Sequence, residues 1–243
     1  MKLYNNILLH IPHANPNLHS NMGELLVSIE ELEKFSNLIS DLEVDDLFSH
    51  GIGIKYKATY SRVYCDVEKF LDDSLEVMSK YGQGVFYLKD HKGRKIRRVT
   101  NDYKEKVLLE YYYPYHKGLD DLTLSLLNKK LIIVDCHSFS EELVLHNKSS
   151  NYPDIDIGFD MQYYSKDLVE GVKEIFVNNG YKVSFNFPYE GTLISNAIYN
   201  KNIPNVYCLM IEINKKIYLN NQKDYQKCKS TIKEVLEFIK DFK

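Results

Sequence analysis

The sequence of 243 residues contains no tryptophan, only six prolines, and four cysteines that stand far apart. No two cysteines have the C-x-x-C spacing of a zinc cluster, so we expect reduced, packed thiols, Cys136 included. Long apolar runs are also missing. The run at Ile7–Leu9 is too short for a secretion signal, and no segment approaches the ~20 apolar residues of a membrane span. These absences predict a cytoplasmic protein that does not contact membranes.

An excess of basic charge is absent as well. The net charge is −3, so the chain has no overall positive field that would hold nucleic acid or anionic lipid. Apolar residues make up 44% and charged residues 27%, which is typical of a soluble globular protein. Internal repeats, low-complexity tracts and linkers are lacking. We therefore predict one catalytic domain over residues 1–243.

Buried-strand patterns alternate with helical patterns along the chain. Leu131–Val134 is a continuous apolar run and Val206–Ile213 is apolar apart from Glu212, as in strands covered on both faces. Apolar residues recur at helical spacing in 166–178 and 222–242. This alternation predicts an α/β fold with three layers, α/β/α, around a mixed, mostly parallel central sheet.

Polar residues follow two of the predicted strands at the point where each strand ends. Asp135 and His137 come directly after Leu131–Val134, and His13 follows the strand predicted at 6–12. Ligands of open α/β sheets bind at the carboxyl ends of strands. A histidine there can bind a metal while a nearby aspartate fixes its tautomer. Two such histidines favour a shared metal site; the alternative is that these residues only cap the next helix.

Charged residues also occur among apolar ones, where they are rarely buried unless paired. Arg62, Asp66, Glu68 and Lys69 form one such cluster, which is either a local ion-pair lattice or a site that binds a carboxylate. Glu212 lies inside an apolar run. It is either paired with a neighbouring cation or a general base whose pKa its surroundings set.

Two helical patterns contain further candidates. Within residues 28–50 a second helix restarts near Ser40, which would place Asp41 in its first turn, where the helix dipole favours a carboxylate. Pro114 predicts a kink or break in the helix that contains it, because proline lacks a backbone N–H. His116, which follows, either faces the site or packs.

Six stretches carry a resemblance to a known family, in the expected order and over nearly the whole chain. They are Ile11-Pro12-His13, Ser61-Arg62 with Asp66 to Phe70, Tyr81-Gly82 to Tyr87, Pro114-Tyr115-His116, Asp135-Cys136-His137-Ser138, and Ile211 to Lys215 with Tyr218. In these stretches the chain resembles the N-formylglutamate amidohydrolase family. The resemblance implies a phosphorylase/hydrolase-like fold, similar to that of zinc carboxypeptidases.

The resemblance also implies a metal, Zn²⁺ or another divalent ion, held by His13 and His137. A third ligand would be a carboxylate, but Pro16 stands where a His-x-x-Glu motif would have its glutamate. We therefore predict a ligand from further along the chain, Asp41 first and Asp66 second.

Further roles follow from the same resemblance. Glu212 would be the general base, and Arg62 would polarise the scissile carbonyl. Lys69, His116 and Asn214 would bind the substrate. The predicted function is metal-dependent hydrolysis of the amide of a small N-acyl amino acid, such as N-formylglutamate, by metal-activated water.

Two alternatives remain at this point. One is a carboxypeptidase-like or acylase-like amidase for another N-acyl substrate. The other is a metal-free binding module without catalysis, favoured by Pro16 and by Lys69, which stands where many family members carry arginine. Protein that contains no metal and gains nothing from added zinc would support the binding module over the amidase.

Overall fold

A computed structural model describes residues 6–127 and 130–243; residues 1–5 and 128–129 of the predicted domain lie outside the described residues. The strands are β1 (Ile7–Ile11), β2 (Glu24–Leu25), β3 (Ile54–Lys57), β4 (Arg97–Arg98), β5 (Leu131–Phe139), β6 (Ile155–Gly158), β7 (Val183–Phe185) and β8 (Val206–Asn214). The α-helices are α1 (Ile29–Ile39), α2 (Val44–Leu47), α3 (Asn101–Val107), α4 (Tyr113–Leu126), α5 (Lys166–Asn178) and α6 (Gln222–Asp241). None of the helices within these described ranges has the length and hydropathy of a transmembrane segment.

Six strands form the main sheet in the order β3-β1-β5-β8-β6-β7. β5 runs parallel to both β1 and β8, β6 runs antiparallel to β8, and β7 is parallel to β6. The predicted α/β fold with a mixed, mostly parallel sheet is therefore confirmed.

The continuous apolar runs explain the central strands. All nine residues of β5 are buried, as are eight of the nine in β8, because strands in the middle of such a sheet are covered on both faces. α5 begins where the side chain of Ser165 accepts a hydrogen bond from Leu168 N and ends just before Gly180, which adopts a φ of 83°. This serine cap and this left-handed glycine are ordinary helix boundaries, and the predicted bounds of α5 are confirmed.

The chain divides into two compact units. The sheet unit contains Met1–Ile11, Glu43–Tyr56 and Asp120–Lys243, and the second unit contains Pro12–Leu42 and Lys57–Leu119. The sheet unit is built from the six-stranded sheet with α5 and α6. The second unit has only the β2–β4 pair as a sheet among its described residues. The prediction of one domain over residues 1–243 stays a prediction.

One local prediction about Asp41 is wrong. α2 starts at Val44, after Glu43 in the left-handed conformation with a φ of 65°. Asp41 therefore lies in the link that follows α1, not in the first turn of a helix, and the dipole does not explain its position.

The helix around Pro114 is modified rather than broken. Between α3 and α4, residues Leu108–Tyr112 form a π-helical turn, in which Tyr113 N donates to Leu108 O, five residues earlier. Pro114 cannot donate to the carbonyl four residues before it. A wider turn directly before the proline lets the chain continue into α4.

Candidate active site

In the sheet unit, Asp135 is bonded to two histidines. Its Oδ1 lies 2.7 Å from His10 Nδ1 and 3.0 Å from His137 Nε2, and its Oδ2 accepts a hydrogen bond of 3.0 Å from Leu193 N. The sheet dictates this arrangement. His10 is the register partner of Asp135 in the parallel β1–β5 pair, and Asp135 and His137 share a face because side chains alternate along a strand.

The predicted pairing of His137 with a nearby aspartate is confirmed by this contact. If Asp135 accepts the Nε2 proton, the lone pair of the neutral imidazole is on Nδ1. A carboxylate on one ring nitrogen is the usual partner of a histidine that binds metal through the other. His137 is buried, 4% exposed, so the ring is held in one orientation.

Glu212 lies beside His137 in the sheet. It is the register partner of His137 in the parallel β5–β8 pair and of Asp156 in the antiparallel β8–β6 pair. Register partners on adjacent strands are about 5 Å apart and point to the same face. The three side chains therefore form a row across β5, β8 and β6, and Glu212 is buried at 7% exposure.

Asp156, on β6, is the last residue of this row. The carboxylate accepts hydrogen bonds from Phe187 N at 3.0 Å, Tyr189 N at 3.2 Å and Ser184 Oγ at 3.2 Å. Burial raises its pKa to about 6, although these hydrogen bonds act in the opposite direction. Asp156 therefore ties the segment after β7 to the sheet.

Asn214 ends β8 and is 1% exposed. Its Nδ2 donates to Glu141 Oε1 at 2.8 Å and to Pro153 O at 3.0 Å, and its Oδ1 accepts from Lys216 N. These contacts join three segments of the sheet unit. A role of Asn214 in binding the substrate stays a prediction.

In the second unit, His13 is surrounded by three carboxylates. Its Nε2 lies 2.8 Å from Asp66 Oδ1 and 3.4 Å from Glu68 Oε2, and its Nδ1 lies 3.8 Å from Asp41 Oδ2. Asp41 is further fixed by a backbone bond from its N–H to His13 O, at 2.9 Å. Both carboxylates that the sequence proposed as the third ligand thus lie around this imidazole. Glu68 is a third carboxylate beside the ring, which the sequence analysis did not propose as a ligand.

Arg62 binds the opposite side of Asp66. Its Nε and Nη2 lie 3.0 and 2.9 Å from Asp66 Oδ2, and Tyr87 donates its hydroxyl to the same oxygen at 3.3 Å. Burial opposes the ionisation of Asp66, but the charges of Arg62 and His13 outweigh it and hold its pKa well below the usual range. Asp66 is therefore a carboxylate that joins the guanidinium to the imidazole.

The remaining predicted residues lie around this core of the second unit. Lys69 Nζ lies 3.3 Å from Glu76 Oε1, and the side chains of both are largely buried. His116 packs its ring against Tyr112, with 4.4 Å between the centroids. Substrate binding by Lys69 and His116 stays a prediction.

The donor types of the two units fit zinc. Zn²⁺ takes imidazole nitrogen and carboxylate oxygen in hydrolases. One unit has His137 with a bonded aspartate, and the other has His13 with carboxylates within 4 Å of its ring. The sequence did not single out Glu68 as a metal ligand, because nothing in its spacing connects it to a histidine 55 residues earlier.

Comparisons with known proteins identify the family of this chain. The family model described as N-formylglutamate amidohydrolase matches residues 5–219. A search of curated proteins gave no match. Among solved structures, the N-formylglutamate amidohydrolase from Ralstonia eutropha JMP134 is similar, with a TM-score of 0.85 and 20% identity over 98% of this chain and 94% of that chain.

A gene product of Agrobacterium tumefaciens, Atu2144, is also similar, with a TM-score of 0.71 and 18% identity over 98% of this chain and 92% of that chain. At these identities the two structures show a common fold. The family model covers most of the sequence, including both histidines and Glu212. The chain therefore belongs to the N-formylglutamate amidohydrolase family.

Proposed function

We propose that this protein hydrolyses the amide bond of an N-formyl amino acid, with N-formylglutamate as the first substrate to test. The products would be formate and the free amino acid. Family membership supports an amidohydrolase. The observation that carries the proposal is the pairing of His137 with Glu212 in the β5–β8 register. It combines a candidate metal ligand and a candidate base on one face of the sheet.

We propose His13 and His137 as the two imidazole ligands of a divalent metal. His13 follows the end of β1 by two residues, and β1 is the sheet neighbour of β5, which carries His137. Within its own unit each imidazole has a carboxylate beside it, Glu68 at 3.4 Å from His13 and Asp135 at 3.0 Å from His137. A bound zinc ion would supply a Lewis acid that polarises the carbonyl and lowers the pKa of water to about 7.

Glu68 is our first choice for the third ligand, ahead of Asp41. Asp66 is closer to His13, but its oxygens accept bonds from Arg62, Tyr87 and Glu68 N. Asp41 lies on the Nδ1 side of the ring and Glu68 on the Nε2 side. Glu68 is the nearer of the two, with its Oε2 3.4 Å from the ring against 3.8 Å for Asp41 Oδ2, which supports Glu68 as the first choice.

Glu212 would move the proton. It would accept a proton from the attacking water as the water oxygen bonds to the formyl carbon. It would then transfer that proton to the nitrogen as the C–N bond breaks. Its burial and its place beside His137 in the sheet favour this role, because they hold the carboxylate in one position.

Arg62 and Lys69 would hold the substrate. Arg62 uses Nε and Nη2 for Asp66, so Nη1 is the group that would donate to the carbonyl oxygen as it gains negative charge. Lys69 would bind the substrate carboxylate as a point charge. Its pairing with Glu76 keeps the ammonium at one place near the charged cluster.

The test is hydrolysis of N-formyl-L-glutamate by protein supplied with zinc, followed by the release of formate and glutamate. Glu212→Gln removes the base while keeping the shape, and we expect kcat to fall at least about 100-fold with the metal content unchanged. Glu142→Gln is the matched control, because Glu142 is exposed in the same unit. Wild-type kcat in Glu212→Gln would exclude Glu212 as the base.

A panel of substrates distinguishes the alternatives. Faster hydrolysis of N-acetyl amino acids or of a peptide than of N-formyl-L-glutamate would favour an acylase or carboxypeptidase-like amidase. Protein that takes up no metal, shows no gain with added zinc and hydrolyses nothing would be a binding module instead.

A further inference from the structure

Residues 60–69, which we call the charged loop, carry Arg62, Asp66, Glu68 and Lys69. Two consecutive tyrosines contact this loop at its two ends. Tyr60 N donates to the hydroxyl of Tyr111 at 3.2 Å, and the hydroxyl of Tyr112 donates to Lys69 O at 2.9 Å. Both tyrosines belong to the π-helical turn Leu108–Tyr112.

The two rings are themselves fixed by packing. Tyr111 contacts the rings of Tyr60 and Tyr64, with centroids 5.5 and 5.6 Å apart. Tyr112 is 9% exposed and packs against His116. A hydroxyl on a fixed ring holds its partner at a fixed place, and so the π-helical turn can act as a clamp on the charged loop.

We propose that Tyr112 is a positioning residue for Lys69. Its hydroxyl fixes the Lys69 carbonyl, and through it the start of the side chain that would grip the substrate carboxylate. This inference rests on the proposed function, in which Lys69 binds the substrate. The hydroxyl of Tyr112 bonds the backbone of Lys69, whereas its ring packs against His116. Loss of the hydroxyl alone would therefore weaken substrate binding rather than proton transfer.

The variant Tyr112→Phe removes the hydroxyl and keeps the ring. We expect the KM for N-formyl-L-glutamate to rise about fivefold, the size of one lost hydrogen bond, with kcat changed less than about twofold. Tyr113→Phe is the matched control, because Tyr113 is the next residue, is 46% exposed and is outside the proposed site. It should leave both constants unchanged.

A double-mutant cycle tests whether Tyr112 acts through Lys69. Lys69→Met should itself raise KM, and adding Tyr112→Phe to it should then raise KM by less than about twofold. A full fivefold rise in the Lys69→Met background would overturn the inference. So would a KM that does not respond to Lys69→Met, or a fall in kcat without a change in KM.

Amide hydrogen exchange separates failure of this inference from failure of the proposed function. In Tyr112→Phe the amides of Asp66, Glu68 and Lys69 should exchange about fivefold faster than in wild type, and in Tyr113→Phe they should not. If the wild type hydrolyses no N-acyl substrate, the proposed function fails but faster exchange still supports the clamp. Unchanged exchange in Tyr112→Phe overturns the clamp whether or not the protein is active.

Discussion

Arg97 offers the sharpest test of how the second unit is held together. The residue is 2% exposed, and its guanidinium binds mainly backbone. Nε donates to Tyr87 O at 2.8 Å, Nη1 to Met22 O at 3.0 Å, and Nη2 to Val63 O and Tyr64 O at 2.5 and 3.0 Å. A fifth, longer contact of 3.4 Å joins Nη1 to the hydroxyl of Tyr103.

Arg97→Lys should destabilise the protein by about 3 kcal/mol. An ammonium has three donors on one nitrogen, so it can replace three of the five contacts at most. Two lost bonds to a charged group, at about 1.5 kcal/mol each, give this value. For a chain of this length, that corresponds to a fall in Tm of about 6–12 °C.

Calorimetry and denaturant titration would measure both quantities. Arg98→Lys is the matched control, because the side chain of Arg98 is 67% exposed and pairs with an exposed Glu24. Exposed pairs of this kind contribute little to stability, so its Tm should not move. A Tm for Arg97→Lys within about 2 °C of wild type would refute the view that the guanidinium organises these four carbonyls.

Two further predictions concern carboxylates. Because the folded pKa of Asp156 is about 6 and its ordinary value is 3.8, its contribution to stability is present below about pH 4 and is lost as pH rises through 6. The loss is about 3 kcal/mol, from a pKa difference of about 2.2 at about 1.36 kcal/mol each. Asp156→Asn should therefore weaken the fall in unfolding free energy between pH 4 and pH 7, and equal slopes for variant and wild type would contradict this. Glu68→Gln should lower zinc affinity more than Asp41→Asn does, as measured by metal titration; the reverse order would make Asp41 the ligand.

Long apolar runs made much of the fold predictable. β5, β8 and α5 are each continuous in sequence and pack against the core. The spacing of their apolar residues therefore directly indicates which side chains are buried. The π-helical turn was not predictable in form, since Pro114 indicates only that an ordinary helix cannot continue. Arg97 was not predictable either, because its partners are carbonyls, which any sequence provides.

The contacts of the candidate site also differ in how far the sequence predicts them. Asp135 and His137 are two residues apart on one strand, so the pleat alone brings them together and the sequence is sufficient to predict the pair. The partners of His13 lie on irregular segments, and Asp66 is 53 residues away. No local pattern predicts such a contact, which explains why the third ligand was assigned to Asp41 and Asp66 without Glu68.

This difference has a functional consequence. The orientation of His137 depends on a strand whose nine residues are all buried, so substitutions outside the sheet should leave it intact. The carboxylates around His13 depend on the charged loop, which Arg97 holds at Val63 and Tyr64 and which Tyr111 and Tyr112 hold at its ends. Loops are the less stable parts of a fold. Variation in substrate and metal affinity should therefore arise through the side chains that hold this loop, while the position of Glu212 beside His137 stays constant.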